Sequence, residues 1–242
     1  DLAGSTDISR NASEYISTVS SSVGAYADDS NTLLLMHCDG SDASTTFTDS
    51  SSNAYTMTAA GNAQIDTAQY KYGTASALFD GSGDYVSNDH SDWDTGFGTG
   101  TPFTIEFWVR FNSLATSNAP AIATLISKGG EGFVTLHYVG WSIFLENNNS
   151  ILFRTMSAGP TSQIQLESGD SVLSWSTATW YHIAVSRDSS DNYYLYRDGV
   201  QVATTNTDAT LVTDAGRDLY LGQSAEGTSD FNGWIEDVRI SD

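Results

Sequence analysis

The chain is poor in cations, in cysteine, in proline and in long apolar runs. Of its 242 residues, 9 are Lys or Arg against 30 Asp or Glu, a formal net charge of −21. Only Lys71 and Lys128 are lysines. Binding to a nucleic-acid backbone needs clustered cations, and there are none to cluster, so no nucleic-acid partner is expected. Anionic membrane surfaces are disfavoured for the same reason. No run approaches the ~18–20 apolar residues of a membrane-spanning helix, so no membrane insertion is expected. Cys38 is the only cysteine, and no intramolecular disulfide can form. An extracellular protein without disulfides points to bacteria, archaea or phage rather than to a eukaryotic ectodomain. No ten-residue amphipathic helical pattern occurs in residues 32–242, which excludes strand–helix alternation and parallel sheets. The chain starts at Asp1 without Met and without a leader pattern, as expected of a processed or trimmed product.

What is present builds a core. Hydrophobic residues make up 39% of the chain and aromatic ones 12%, while the charged fraction of 16% is too low for a disordered acidic tail. A single domain of this length buries roughly 70–75% of its unfolded surface and needs no staples. Polarity comes mainly from Ser, Thr, Asn, Asp and Gly, residues of turns and strand faces. The acidic balance fits an extracellular or virion-surface protein kept soluble by its charge, or one that uses carboxylates on Ca²⁺.

Residues 1–31 stand apart, with scattered Ile8, Tyr15, Ile16, Val19 and Val23 in a Ser-, Ala-, Asp- and Gly-rich background. They read as an N-terminal arm or linker that orders only against something else, and as a route to a homo-oligomer. From Thr32 short apolar runs alternate with Gly, Asp, Ser and Asn clusters. Leu33–Met36 reads as a strand buried on both faces. Ala75–Asp80 and Asp84–Val86 flank a Gly81-Ser82-Gly83 turn, read as a hairpin. In Phe103–Phe111, Phe103, Ile105, Phe107, Val109 and Phe111 share one face at a strict period of two; Thr104, Glu106, Trp108 and Arg110 take the other. Asp198-Gly199 between Tyr193–Arg197 and Val200–Ala203 is a strong hairpin signal. Many short strands at regular spacing predict an all-β fold: a two-sheet antiparallel sandwich over 32–242, in one domain.

Several segments, in order, resemble the laminin G-like domains of the concanavalin A-like lectin/glucanase superfamily. They are Tyr72-Gly73 with Ala75–Val86, Phe103–Val109 with Ile126-Ser127-Lys128, Trp180–Val185 through Leu195–Gly199, and Leu219–Gly222 with Phe231–Ile240. The lead-in, Leu34–His37 to Gly40 with Phe47–Ser51, is similar to versions in tailed-phage fibre and other virion proteins. The resemblance implies a concanavalin A-like jelly roll. It also implies a module that holds glycans or partner proteins, often with Ca²⁺, and sometimes accompanies an enzyme.

No catalytic pattern emerges, and none of the residues is assigned a catalytic role. Glycoside hydrolysis needs two carboxylates flanking one bond, and the family's glucanase run E-x-D-x-x-E is absent. Gln163-Ile164-Gln165 lacks the His of the lyase pattern, and no G-x-S-x-G elbow occurs. His182, in mid-strand, reads as a packed or surface strand histidine. For a metal, the resemblance places the first and last strands together, so the expected structural Ca²⁺ would use some of Asp49, Asp80 and Asp237. The same residues would otherwise accept turn amides. For a sugar, the aromatic candidates in or beside polar loops are Trp93 with Asp92, Tyr138, Trp141 and Trp175. Trp108, Trp180 and Trp234 lie in strand motifs and are assigned to core or strand packing.

The expected function is therefore non-catalytic recognition of a surface polysaccharide, in a phage fibre or other extracellular assembly. Partners would be a glycan or neighbouring subunits. The rival is a structural decoration or filament subunit docking through residues 1–31; a polysaccharide-degrading enzyme comes last. With few cations in the whole chain, a neutral or weakly charged polysaccharide is the expected ligand.

Overall fold

The computed structural model describes residues 26–89, 100–114, 122–129, 140–146, 148–156, 162–169, 173–203, 205–208, 216, 218–224, 227 and 229–242. Among them run sixteen strands: β1 (Thr32–Met36), β2 (Met57–Ala60), β3 (Gln64–Asp66), β4 (Ser76–Asp80), β5 (Tyr85–Asn88), β6 (Phe103–Phe111), β7 (Ile122–Gly129), β8 (Gly140–Glu146), β9 (Ile151–Met156), β10 (Ser162–Glu167), β11 (Trp180–Arg187), β12 (Asn192–Arg197), β13 (Val200–Gln201), β14 (Asn206–Thr207), β15 (Leu219–Leu221) and β16 (Asn232–Ser241). None of the described residues is helical, and no helix is long and apolar enough to cross a membrane.

The strands form two antiparallel sheets. One has nine strands in the order β13-β12-β11-β6-β16-β4-β3, with β1 on β16 and β14 on β12. The other has seven, in the order β10-β9-β8-β7-β15-β5-β2. The first and last strands do pair, Leu35 opposite Arg239 and Met36 opposite Val238. β16 is flanked by β6 on one side; on the other, β4 covers its first half and β1 its second. A bulge between Glu236 and Arg239 marks the change of neighbour, and Asp237 there has φ +46°.

The inner faces meet in one core. β6 contributes Phe103, Ile105, Phe107, Val109 and Phe111, each at most 2% exposed. Burial of each such side chain is worth ~1.5–3 kcal/mol. Opposite stand Ile143, Leu145, Ile151, Phe153, Leu219 and Leu221 of the seven-stranded sheet. Phe144 and Leu152 point the other way and form a second, smaller buried cluster.

Asp198 (φ 52°) and Gly199 (φ 76°) make the β12–β13 hairpin with Arg197 opposite Val200, as the dipeptide predicts. The Gly81-Ser82-Gly83 turn is not a hairpin: β4 belongs to the nine-stranded sheet and β5 to the seven-stranded one, so the segment crosses between layers. The buried Asp84 carboxylate steadies that crossing by accepting the amide N–H groups of Asp80 and Asn62. Two short strands, β3 and β14, have no clear apolar alternation and were not expected.

Candidate functional site

Alternation along β6 sends Glu106, Trp108 and Arg110 to the outer face of the nine-stranded sheet. Antiparallel register then fixes their neighbours on β11 and β16. Trp180, Arg110 and Trp234 form one cross-strand row; His182, Trp108 and Glu236 form the next; Ala184, Glu106 and Arg239 form the third. Cross-strand partners on one face are in side-chain contact range, so the rows make a continuous aromatic and polar patch, in which His182, Ala184, Glu106, Glu236 and Arg239 are buried.

The third row is a closed network. Arg239 donates from Nε and Nη2 to Glu106 Oε1, at 2.8 and 2.7 Å. Tyr26, from the segment before β1, donates its phenol proton to Glu106 Oε2 at 3.1 Å and lies 2.8 Å from His182 Nε2. A phenol has one proton, so His182 supplies the other bond and carries its hydrogen on Nε2. The buried Nδ1 of His182 has no partner, which the Nε2–H tautomer tolerates because no donor is stranded. Arg239 also stacks its guanidinium 4.8 Å from the Tyr26 ring centroid. Burial pushes the Glu106 carboxyl up, but the His182 hydrogen bond, the Arg239 charge and the Tyr26 hydroxyl outweigh it and hold it below the usual range. Burial, then the Glu106 charge, keep Tyr26 a neutral phenol.

The second row is aromatic above and acidic below. The Trp108 ring meets Tyr72 edge-on at 5.4 Å and His182 at 5.2 Å, and Lys71 Nζ sits 4.7 Å from its centroid. Glu236, 1% exposed, accepts the amide N–H groups of Lys71 and Tyr72 at 2.7 and 2.6 Å and so pins this loop to the sheet. Burial pushes its carboxyl up to about 8 against those two donors. In the first row, Arg110 lies 5.0 Å from the Trp234 ring and hydrogen-bonds Gln69, while Trp234 Nε1 donates to Asp66 at 2.6 Å. Trp108, Trp180, Trp234 and Arg110 are all half-buried, so their faces remain in reach of solvent.

The residues singled out from sequence lie elsewhere. Trp93, Asp92 and Tyr138 are outside the described residues. Trp141 is 2% exposed, inside the main core on β8. Trp175 packs edge-on against Phe111 and Tyr181, at 5.2 and 4.8 Å, and donates to Asn149 O at 2.8 Å. Trp141 is taken up by packing, whereas Trp175 is half-buried, with the Arg197 guanidinium 5.0 Å from its ring centroid. Trp108, Trp180 and Trp234, assigned to core or strand packing, are half-buried strand residues of the outer face and lie outside the main core. The signal was available: Trp108 alternates with Phe107 and Val109, so it has to point away from their core.

The three carboxylates expected to share Ca²⁺ are engaged separately. Asp49, 5% exposed, accepts the amides of Leu35, Ser51 and Tyr55 and the Ser51 hydroxyl. Asp80 accepts the Ser82 amide and the Asn62 side chain. Asp237 Oδ1 faces His37 Nδ1 at 2.9 Å, and its buried Oδ2 has no partner. Among the described residues no three His, Cys, Asp or Glu side chains gather to hold a metal ion. This donor set does not fit a shared Ca²⁺, because the three carboxylates do not gather around one point and those of Asp49 and Asp80 already accept protein N–H and O–H groups.

The sequence pattern of the concanavalin A-like lectin/glucanases superfamily matches residues 79–242. No curated protein is matched. Similar solved structures include the binding domain of botulinum neurotoxin DC in complex with SialylT, at 18% identity and TM-score 0.61, covering 88% of this chain and 48% of that one. The receptor binding domain of botulinum neurotoxin D has 17% identity and TM-score 0.62, with coverage of 87% and 49%. The binding domain of serotype G has 18% identity and TM-score 0.62, with coverage of 87% and 47%. The chain thus spans about half the length of these structures, and the likeness is one of fold.

Proposed function

The chain belongs to the concanavalin A-like lectin/glucanases superfamily, and from that premise we propose that it is a non-catalytic saccharide-recognition module of an extracellular or virion-surface assembly. The observation that carries this reading is the set of half-buried tryptophans, Trp108, Trp180 and Trp234, on adjacent rows of one sheet face. Indole faces suit the C–H face of a pyranose, and the interleaved Arg110, Gln69 and Asp66 suit its hydroxyls. The toxin domains of the same fold, one of them solved with SialylT, support a binding role.

The carboxylates of this face support binding over hydrolysis. Glu106 and Glu236 are 4% and 1% exposed, one ion-paired and the other held by two amides. A hydrolase needs two acids open to the same glycosidic oxygen and anomeric carbon. A broad glycan array with the wild type, Trp108→Ala and Trp234→Ala tests the reading. Binding that drops at least tenfold in both variants, with their melting temperatures close to the wild type, supports it. Unchanged binding in both moves the site off this face.

A structural subunit docking through its arm is the second reading. The seating of Tyr26 on Glu106 and His182 favours it, because a socket that holds this tyrosine within one chain also fits that of a neighbour. Concentration-dependent mass by light scattering, lost in Tyr26→Ala, distinguishes the two.

A further inference from the structure

We propose that the ligand of the tryptophan face is an acidic saccharide, its carboxylate or sulfate held between Lys71 and Arg110. The inference rests on the saccharide reading of that face and adds the class of sugar.

Its basis is where the scarce cations stand. Of the nine Lys and Arg, Arg10 and Arg217 lie outside the described residues. Lys128, Arg154, Arg187 and Arg239 are buried, and Arg197 is half-buried. Arg187, Arg197 and Arg239 each face a carboxylate: Asp191, Asp198 and Glu106. Lys71 is exposed and Arg110 half-buried, and neither has a carboxylate of the described residues within ion-pair distance. In a chain with 30 carboxylates that is an anomaly, and both cases fall on the same face.

The carboxylates around them are committed to other donors. Glu236 is taken by the Lys71 and Tyr72 amides, Asp66 by the Trp234 indole, Asp39 by Thr74 and Ala75, and Asp237 through its Oδ1 by His37. The two cations therefore rest on indole rings, Lys71 on Trp108 and Arg110 on Trp234, at 4.7 and 5.0 Å. Trp108 and Arg110 are two residues apart on β6, ~7 Å by strand rise. That spacing lets an anionic substituent reach both cations while its sugar ring packs beside the tryptophans. A guanidinium fork matches a carboxylate in two parallel hydrogen bonds.

The overall charge does not oppose this. Repulsion from distant carboxylates is screened beyond ~8 Å at physiological ionic strength, whereas a contact pair is not; the near ones, Glu236 and Asp66, are each partly neutralised by N–H donors. Composition alone favoured a neutral polysaccharide because it counts cations without placing them.

The test is direct binding to matched polymer pairs: polygalacturonate, alginate and chondroitin sulfate, each beside its carboxyl-reduced or desulfated counterpart. The expected result is at least tenfold tighter binding to the acidic member of one or more pairs. Lys71→Gln and Arg110→Gln should each lose about tenfold there and flatten the salt dependence, and Lys71→Arg should retain binding. Equal or tighter binding to the neutral members, unaffected by Lys71→Gln, overturns the acidic class and leaves the saccharide reading standing. No binding to any polymer, with no hit on the broad array, overturns both. Lys71 is exposed, so its substitution leaves the fold out of the comparison.

Discussion

His182 Nε2 stands 2.8 Å from Tyr26 Oη, joining residues 156 positions apart in the chain. The contact ties the segment before β1 to mid-strand β11, and Glu106 and Arg239 complete it. Tyr26→Phe removes one acceptor and one donor, while His182 Nε2 and Glu106 Oε2 stay 3.3 Å apart and keep a bond to each other. The expected loss is ~1–2 kcal/mol. Arg239→Met strips the buried Glu106 of its cation and should cost more, ~3–5 kcal/mol. Urea unfolding should show lower midpoints at unchanged slope. A wild-type midpoint for Tyr26→Phe would mean that Tyr26 is not seated in solution.

Trp108 and Trp141 should respond oppositely to truncation. Trp141 lies in the core, and Trp141→Ala should cost ~3–5 kcal/mol. Trp108 is half-buried and outside the core, so Trp108→Ala should cost clearly less while abolishing saccharide binding. Thermal melts beside binding isotherms check both. A Trp108→Ala protein as unstable as Trp141→Ala would return Trp108 to a packing role.

Stability should fall as pH rises from about 5 to about 8. Burial raises Glu236 to about 8, so across this window the folded state keeps a proton that the unfolded chain has lost. Asp237 is raised by burial and acts in the same direction at the lower end. His37, raised chiefly by its hydrogen bond to Asp237, contributes stability that is complete below its unfolded value and lost as pH rises through its folded one. Glu106 is lowered, so its contribution is lost only in acid, as pH falls through its folded value. Glu236→Gln should lower stability overall and flatten the profile between pH 5 and 8, as read by unfolding midpoints across that range. A variant with the wild-type slope would assign the pH dependence to other groups.

Chelation should leave the fold untouched. Asp49 holds the amides of Leu35, Ser51 and Tyr55, so its work is done by N–H donors. Melting in excess EDTA should match melting in millimolar Ca²⁺ within about 1 °C. Asp49→Ala should lower stability by ~2 kcal/mol or more in both buffers, because it strands buried N–H groups. A Ca²⁺-dependent rise in melting temperature would show a cation site that these carboxylates do not reveal.

The sequence by itself determined the layer architecture and its grammar. Period-two alternation places five apolar residues of Phe103–Phe111 in the core, and Asp198-Gly199 closes a hairpin because both residues adopt positive φ cheaply. Both are local properties of the chain, legible without knowing what lies across from them. The same alternation already turned Trp108 outward, but it did not say whether another layer would cover that face.

Only the tertiary structure decided that. Whether an aromatic is core or surface depends on what stacks against it, so Trp141 went inside while Trp108, Trp175, Trp180 and Trp234 stayed half-buried. The Gly81–Gly83 turn crosses between sheets because β4 and β5 pair with different partners, which no local signal encodes. Tyr26 meets His182, and Lys71 and Arg110 remain without counter-ions, through contacts between segments far apart in sequence. Composition counted few cations; register and folding brought two of them to one tryptophan face with no carboxylate of the described residues in ion-pair contact with them.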